Sequence, residues 1–130
     1  MNLLKRLMWV YLAIAALLAL LVWSFRDLSE PFLPFRVTVV NESGEAVSRI
    51  ETGIVQGDSK QVSRGVGSGD SVKIKPELSL KGEGAVYQKY VFENGRTAET
   101  VVCGYTESLS GKSTVTLRED GTIDVEQDCY

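Results

Sequence analysis

The chain has 130 residues, with 14 Lys and Arg against 17 Asp and Glu, two Cys and no His. Without histidine, neither Ser-His-Asp nor Cys-His catalysis is available, and zinc sites lose their commonest ligand. A net charge of −3, with no basic cluster along the chain, argues against a nucleic-acid partner.

Residues 1–6 form a short basic head carrying Lys5 and Arg6. Leu7 to Phe25, LMWVYLAIAALLALLVWSF, then runs for nineteen residues without a charge. As a helix it spans roughly 28 Å, close to the thickness of a bilayer core. Trp9 and Tyr11 lie near one end, Trp23 and Phe25 near the other, where amphipathic rings settle at headgroup level. A helix apolar on every face needs either lipid or helical layers around it, and the rest of the chain supplies no such layers.

The flanks set the expected orientation. Lys5 and Arg6 precede the segment, while Arg26, Asp27 and Glu30 follow it with no excess of positive charge. The positive-inside rule keeps the N-terminus in the cytoplasm and exports the remainder. Signal-peptide cleavage requires small residues just past the apolar run, and Leu21 to Phe25 is bulky there. No cysteine stands nearby to carry a lipid, so the expectation is an uncleaved, single-pass signal anchor in the cytoplasmic membrane.

With Lys5 and Arg6 set aside, 12 cationic side chains remain against 17 acidic ones, a net charge of −5 for residues 26–130. This is length enough for one domain with one core. Cys103 and Cys129 both fall in it, and an even count in an oxidising compartment predicts a disulfide. Residues 26–34, with Pro31 and Pro34, form a stiff connector of little reach. Phe32 and Leu33 within it either touch lipid or cover the lower end of the domain.

From Phe35 the pattern has period two. Arg36–Val40 reads as a strand ended by a turn at 41–44, and Ala46–Val55 as a second strand that Gly53 interrupts, as a bulge would. A weak edge strand is expected around Gln61–Val66, between glycine- and serine-rich loops. Ser71–Leu80 alternates cleanly, with Val72, Ile74, Leu78 and Leu80 on one face, and Pro76 places it at an edge or a bend. Ala85–Phe92 and Thr97–Tyr105 flank Asn94-Gly95, the strongest hairpin signal. Ser113–Arg118 and Thr122–Glu126 form a second hairpin around 119–121.

Seven or eight short strands at this spacing predict an all-β fold, an antiparallel sandwich or small barrel in domain 35–130. The pattern resembles an immunoglobulin-like sandwich in a loose sense. The Cys…Trp…Cys arrangement of that family is missing, since both tryptophans lie in the apolar segment.

No motif carries evident chemistry. The Gly65–Asp70 run has neither dinucleotide nor P-loop spacing and reads as a hairpin connection. The acidic residues at 119–128 alternate with inward Ile123 and Val125, so they read as a solvated face, not a calcium site. Asn41-Glu42-Ser43 matches a glycosylation sequon. Tyr90 and Phe92 share the expected core face, leaving Tyr87 with Tyr105 as a candidate partner-binding patch. Ala15 and Ala19 are spaced for close helix approach, so a helix-mediated dimer stands beside the expected monomer.

The sequence therefore points to a non-enzymatic binding or accessory module at the outer face of the membrane, without cofactor or metal. Its expected partners are the bilayer and a protein or envelope component. The alternatives are an immunity or inhibitor protein that neutralises a toxin at the membrane, and a hydrolase using carboxylates alone.

Overall fold

The computed structural model describes residues 2–29 and 32–130, and the chain divides into two units at Glu30/Pro31. The first unit is one helix, α1, Leu3–Ser29. The Asn2 carbonyl accepts from the Lys5 and Arg6 amides at 2.9 and 3.2 Å and so starts the helix. Arg26 in the last turn suits the negative end of the helix dipole, and the Ser29 hydroxyl donates to the Arg26 carbonyl at 2.8 Å.

The described helix ends at Ser29. Residues 26–29 of the expected connector are therefore helical, and Glu30 and Pro31 lie outside the described residues. Leu3–Arg26 is long and apolar enough to cross a membrane, and none of its apolar window is buried. Trp9, Tyr11, Trp23 and Phe25 are 63%, 70%, 68% and 74% exposed.

The second unit is a β-sandwich of eight strands. They are β1 Arg36–Glu42, β2 Val47–Ile54, β3 Lys60–Val66, β4 Ser71–Ile74, β5 Gly84–Phe92, β6 Thr97–Thr106, β7 Gly111–Arg118 and β8 Ile123–Cys129. One sheet has the order β4-β1-β7-β8 and the other β3-β2-β5-β6. The first sheet is mixed, because β1 and β7 pair in parallel while every other pair is antiparallel. A wholly antiparallel sandwich is thus corrected at one pair: strands far apart in sequence meet at the centre of that sheet, a pairing that hairpin spacing does not reveal.

Alternate residues of both sheets meet in the core, where Val37, Val39, Ile50, Val86, Tyr90, Val102 and Val115 are fully buried. The same inward face carries a polar chain. Tyr90 Oη donates to Gln88 Oε1 at 2.6 Å, and Gln88 Nε2 donates to Thr52 Oγ1 at 3.1 Å. Burial pushes the Tyr90 phenol up, so it stays a neutral donor inside this network.

Three further expectations shift. β1 runs on to Glu42, and Asn41 is its last buried residue instead of the first of a turn. Gly53 is no bulge, since it pairs regularly with Lys60 and Tyr87; the irregularity in β2 falls between Val47 and Arg49. Gly53 is needed for room, as a Cβ there would stand 2.7 Å from Cε1 of Tyr87. The strand expected over 71–80 stops at Ile74, although Leu78 and Leu80 still pack against the core.

The Asn94-Gly95 hairpin forms as expected, with Gly95 at φ 88° and its amide bonded to the Phe92 carbonyl at 3.0 Å. Phe32 and Leu33 are 86% and 40% exposed, so covering this end of the core falls to Phe35 at 3%.

Candidate interaction surface

The two long sides of the sandwich differ in what bridges the sheets. On one side the edge strands are β6 and β8, and the Cys103–Cys129 disulfide joins them with an S–S distance of 2.07 Å. The Gly104 amide donates to Gln127 Oε1 at 2.6 Å across the same gap. Thr106 Oγ1 donates to the Tyr130 carbonyl, and the Ser108 amide reaches that oxygen at 3.2 Å. Asp124 and Glu126 point to solvent from β8, with Ile123 and Val125 turned inward.

On the other side the edge strands are β3 and β4. After Ile74 the chain leaves the first sheet at Pro76, and two side chains of the β3 side catch it. Glu77 N donates to Gln61 Oε1 at 2.9 Å, and Ser79 N to Ser59 Oγ at 2.8 Å. This explains why good alternation over 75–80 yields no strand: its amides bond to side chains, not to a ladder.

At the start of β4, Asn41 holds the glycine-rich connection. Its Nδ2 donates to the Glu45 and Val66 carbonyls at 2.7 and 3.2 Å, and its Oδ1 accepts from the Ser43 amide and hydroxyl. The Gly69 amide is bonded to the Asn41 carbonyl at 2.8 Å and the Asp70 amide to the Gly67 carbonyl at 3.1 Å. Two amides that a phosphate cradle would offer are therefore engaged, and the Asn41 amide of the sequon is buried and engaged as well.

Hydrogen-bonded and non-hydrogen-bonded pairs alternate along antiparallel ladders. Counting from the Ile54–Ser59 and Asn41–Asp70 bonds, the backbones of Lys60, Val62 and Arg64 on β3, and of Ser71 and Lys73 on β4, face away from their partner strands. A groove of about 220 Å³ lies here, lined by Gln61, Ser63, Val72 and Ile74 with Arg64, Lys73 and Lys75. Arg49 and Arg64 are direct cross-strand partners, a like-charge juxtaposition that costs stability unless an anion offsets it. Among the described residues, ion pairs join Arg96 to Glu45 and Arg118 to Glu42 and Asp124, and none reaches Arg49, Lys60, Arg64, Lys73 or Lys75. The carboxylates closest in register or sequence are Glu51, which accepts from Tyr87, with Asp58, Asp70 and Glu77.

Tyr87 and Tyr105 enter separate clusters. The Tyr87 hydroxyl donates to Glu51 Oε1 at 2.7 Å, and that bond, reinforced by burial and by the charges of Glu51 and Glu99, pushes its pKa up to about 12. The Tyr105 hydroxyl donates towards Glu107 and Glu83, which raise its pKa in that order, and the ring is 53% exposed. These two carboxylates share a phenol but not a depression: Glu83 borders one of about 430 Å³ together with Asp58, and its lining does not include Glu107. Among the described residues, no group of three or more Cys, Asp or Glu side chains gathers as a metal site.

The basic edge was not legible as a cluster because its members are scattered from residue 49 to residue 75. The available signal was that both expected edge strands carry cations: Arg64 in one, Lys73 and Lys75 in the other.

No family model matches the chain, and no curated protein matches it. A solved structure described as "NMR structure of the protein from Eubacterium rectale" aligns with 74% of this chain and 89% of its own, at 18% identity and a TM-score of 0.47. A likeness at that level carries no inference here.

Proposed function

We propose that this chain is a non-catalytic binding module, held by α1 as a retained single-pass anchor with its N-terminus in the cytoplasm and its sandwich on the outer side. The observation that carries the reading is the pairing of an uncovered apolar helix with a disulfide-closed β domain. A helix with no protein over its apolar surface calls for lipid, and a structural disulfide calls for an oxidising compartment. Lys5 and Arg6 before the helix support the orientation, and the bulky residues before Arg26 support retention.

The outer surface fits binding better than turnover. Its charged side chains stand on strand faces and edges, and of the carboxylates that converge on Tyr105 only Glu83 borders a depression, with Asp58. The expected partner is a protein or envelope component at the outer membrane surface.

The test has two parts in native membranes. An impermeant amine-reactive label should modify the domain lysines in intact cells and leave Lys5 unlabelled, with the full-length chain resisting alkaline extraction. Recovery of a shortened, soluble chain would remove the anchor. Cross-linking in those membranes should then yield one reproducible partner, and repeated recovery of none would remove the binding role.

A further inference from the structure

We infer that the open side of the sandwich binds an extended acidic segment of another polypeptide, added as a further strand along β3. This deepens the binding-module reading and rests on it. β3 presents the backbone groups of Lys60, Val62 and Arg64 at strand spacing, which only another polypeptide strand can complete in register. Beside that edge stand Arg49, Lys60, Arg64, Lys73 and Lys75, none of them ion-paired among the described residues. Three of these cations line the groove between the two edge strands.

The charge arrangement selects the occupant. Arg49 and Arg64 face each other across the β2–β3 ladder, so an incoming carboxylate relieves a repulsion already built into the sheet. Glu51, the carboxylate one row away, accepts from the Tyr87 hydroxyl. The same cations oppose pairing between the identical edges of two copies, which leaves the site to a strand of opposite charge. Val62, 57% exposed in the middle of β3, offers an apolar contact to alternate side chains of such a strand.

The test uses the full-length chain in neutral-lipid nanodiscs, panned against a displayed library of random octapeptides. Enriched peptides should carry net negative charge with acidic residues at alternate positions. Their affinity should fall by at least ~tenfold on Arg64→Glu with Lys73→Glu, while the melting temperature of the variant stays within a few degrees of the parent. N-methylation of the alternate set of peptide amides that faces β3 should abolish binding while methylation of the other set does not, and bound peptide should slow amide exchange at Val62 and Arg64.

The inference is overturned by no enrichment, by enrichment of neutral or basic peptides, or by acidic peptides indifferent to the charge reversal. Equal binding of the peptide methylated on the set that faces β3 overturns it too, because a simple polyanion such as a lipid headgroup would then suffice. So does concentration-dependent association of two copies through this edge. Peptides that map beside Tyr105 overturn the edge assignment and leave the binding-module reading standing, whereas only the membrane cross-linking removes that reading.

Discussion

Between β6 and β8 the sheets are joined by a covalent bond, by Gln127 reaching the Gly104 amide and by Thr106 held to the C-terminal residue. Between β3 and β4 they are joined by Gln61 and Ser59, which catch two amides of a passing loop. The first arrangement closes over 26 residues of chain and works largely through the unfolded state. The second offers single hydrogen bonds near the surface, each a modest contribution. One fold can thus concentrate its stability on one side and leave strand edge exposed on the other. The rigid side need not take part in binding, and the exposed side need not carry much of the stability.

The largest test of that contrast is Cys129→Ala. Losing the cross-link should cost about 3–4 kcal/mol by the chain-entropy model, lowering the melting temperature by roughly 12 °C or more. Calorimetry of the reconstituted chain checks it, and membrane insertion should be unchanged. An unaltered melting temperature would mean that the β6/β8 side is held by its other contacts. Next in size is Asn41→Ala, which strips the Val66 and Glu45 carbonyls of their donor and should cost about 2 kcal/mol in denaturant unfolding. Gln61→Ala on the open side should cost about 1 kcal/mol or less; a loss as large as that from the disulfide would erase the distinction between the sides.

A smaller effect separates the outer face of the second sheet from both edges. The Tyr87 phenol, pushed up to about 12 by Glu51, holds its proton more tightly folded than unfolded. The stability from this contact is therefore fully present below the ordinary tyrosine value of about 10 and is lost as pH rises from there through 12. Tyr87→Phe should lower the melting temperature modestly at neutral pH and flatten part of the alkaline decline, so that the two profiles converge as pH rises through 12. Tyr90 and Tyr105, raised in the same direction, add to the decline. A profile identical in parent and variant would show that the Tyr87–Glu51 bond contributes nothing.

Much of the fold was legible because it rests on period-two alternation and turn residues. Val37 and Val39, the Asn94-Gly95 hairpin and the inward Ile123 and Val125 all follow local pattern. Where reading failed, a distant partner had decided. Gly53 resembles a bulge until the Tyr87 ring from β5 is seen over it. Asn41 resembles a turn residue until its amide is found bonded to Val66, twenty-five positions away. Residues 75–80 have strand alternation, but Pro76 and the side-chain acceptors Gln61 and Ser59 draw them off the ladder. The basic edge escaped for the same reason, since strand pairing, and not sequence proximity, sets Arg49 against Arg64 and brings Lys73 to the facing edge.

The claim on which the rest depends is that β3 and β4 end the sandwich in unpaired backbone. Residue-resolved amide exchange on the full-length chain in neutral nanodiscs tests it most directly. The outward amides of Lys60, Val62, Arg64, Ser71 and Lys73 should exchange quickly, while the inward-bonded amides of Gln61, Ser63, Val72 and Ile74 stay protected. Equal protection of both sets in the isolated protein would contradict the account, because the edge would then already be covered.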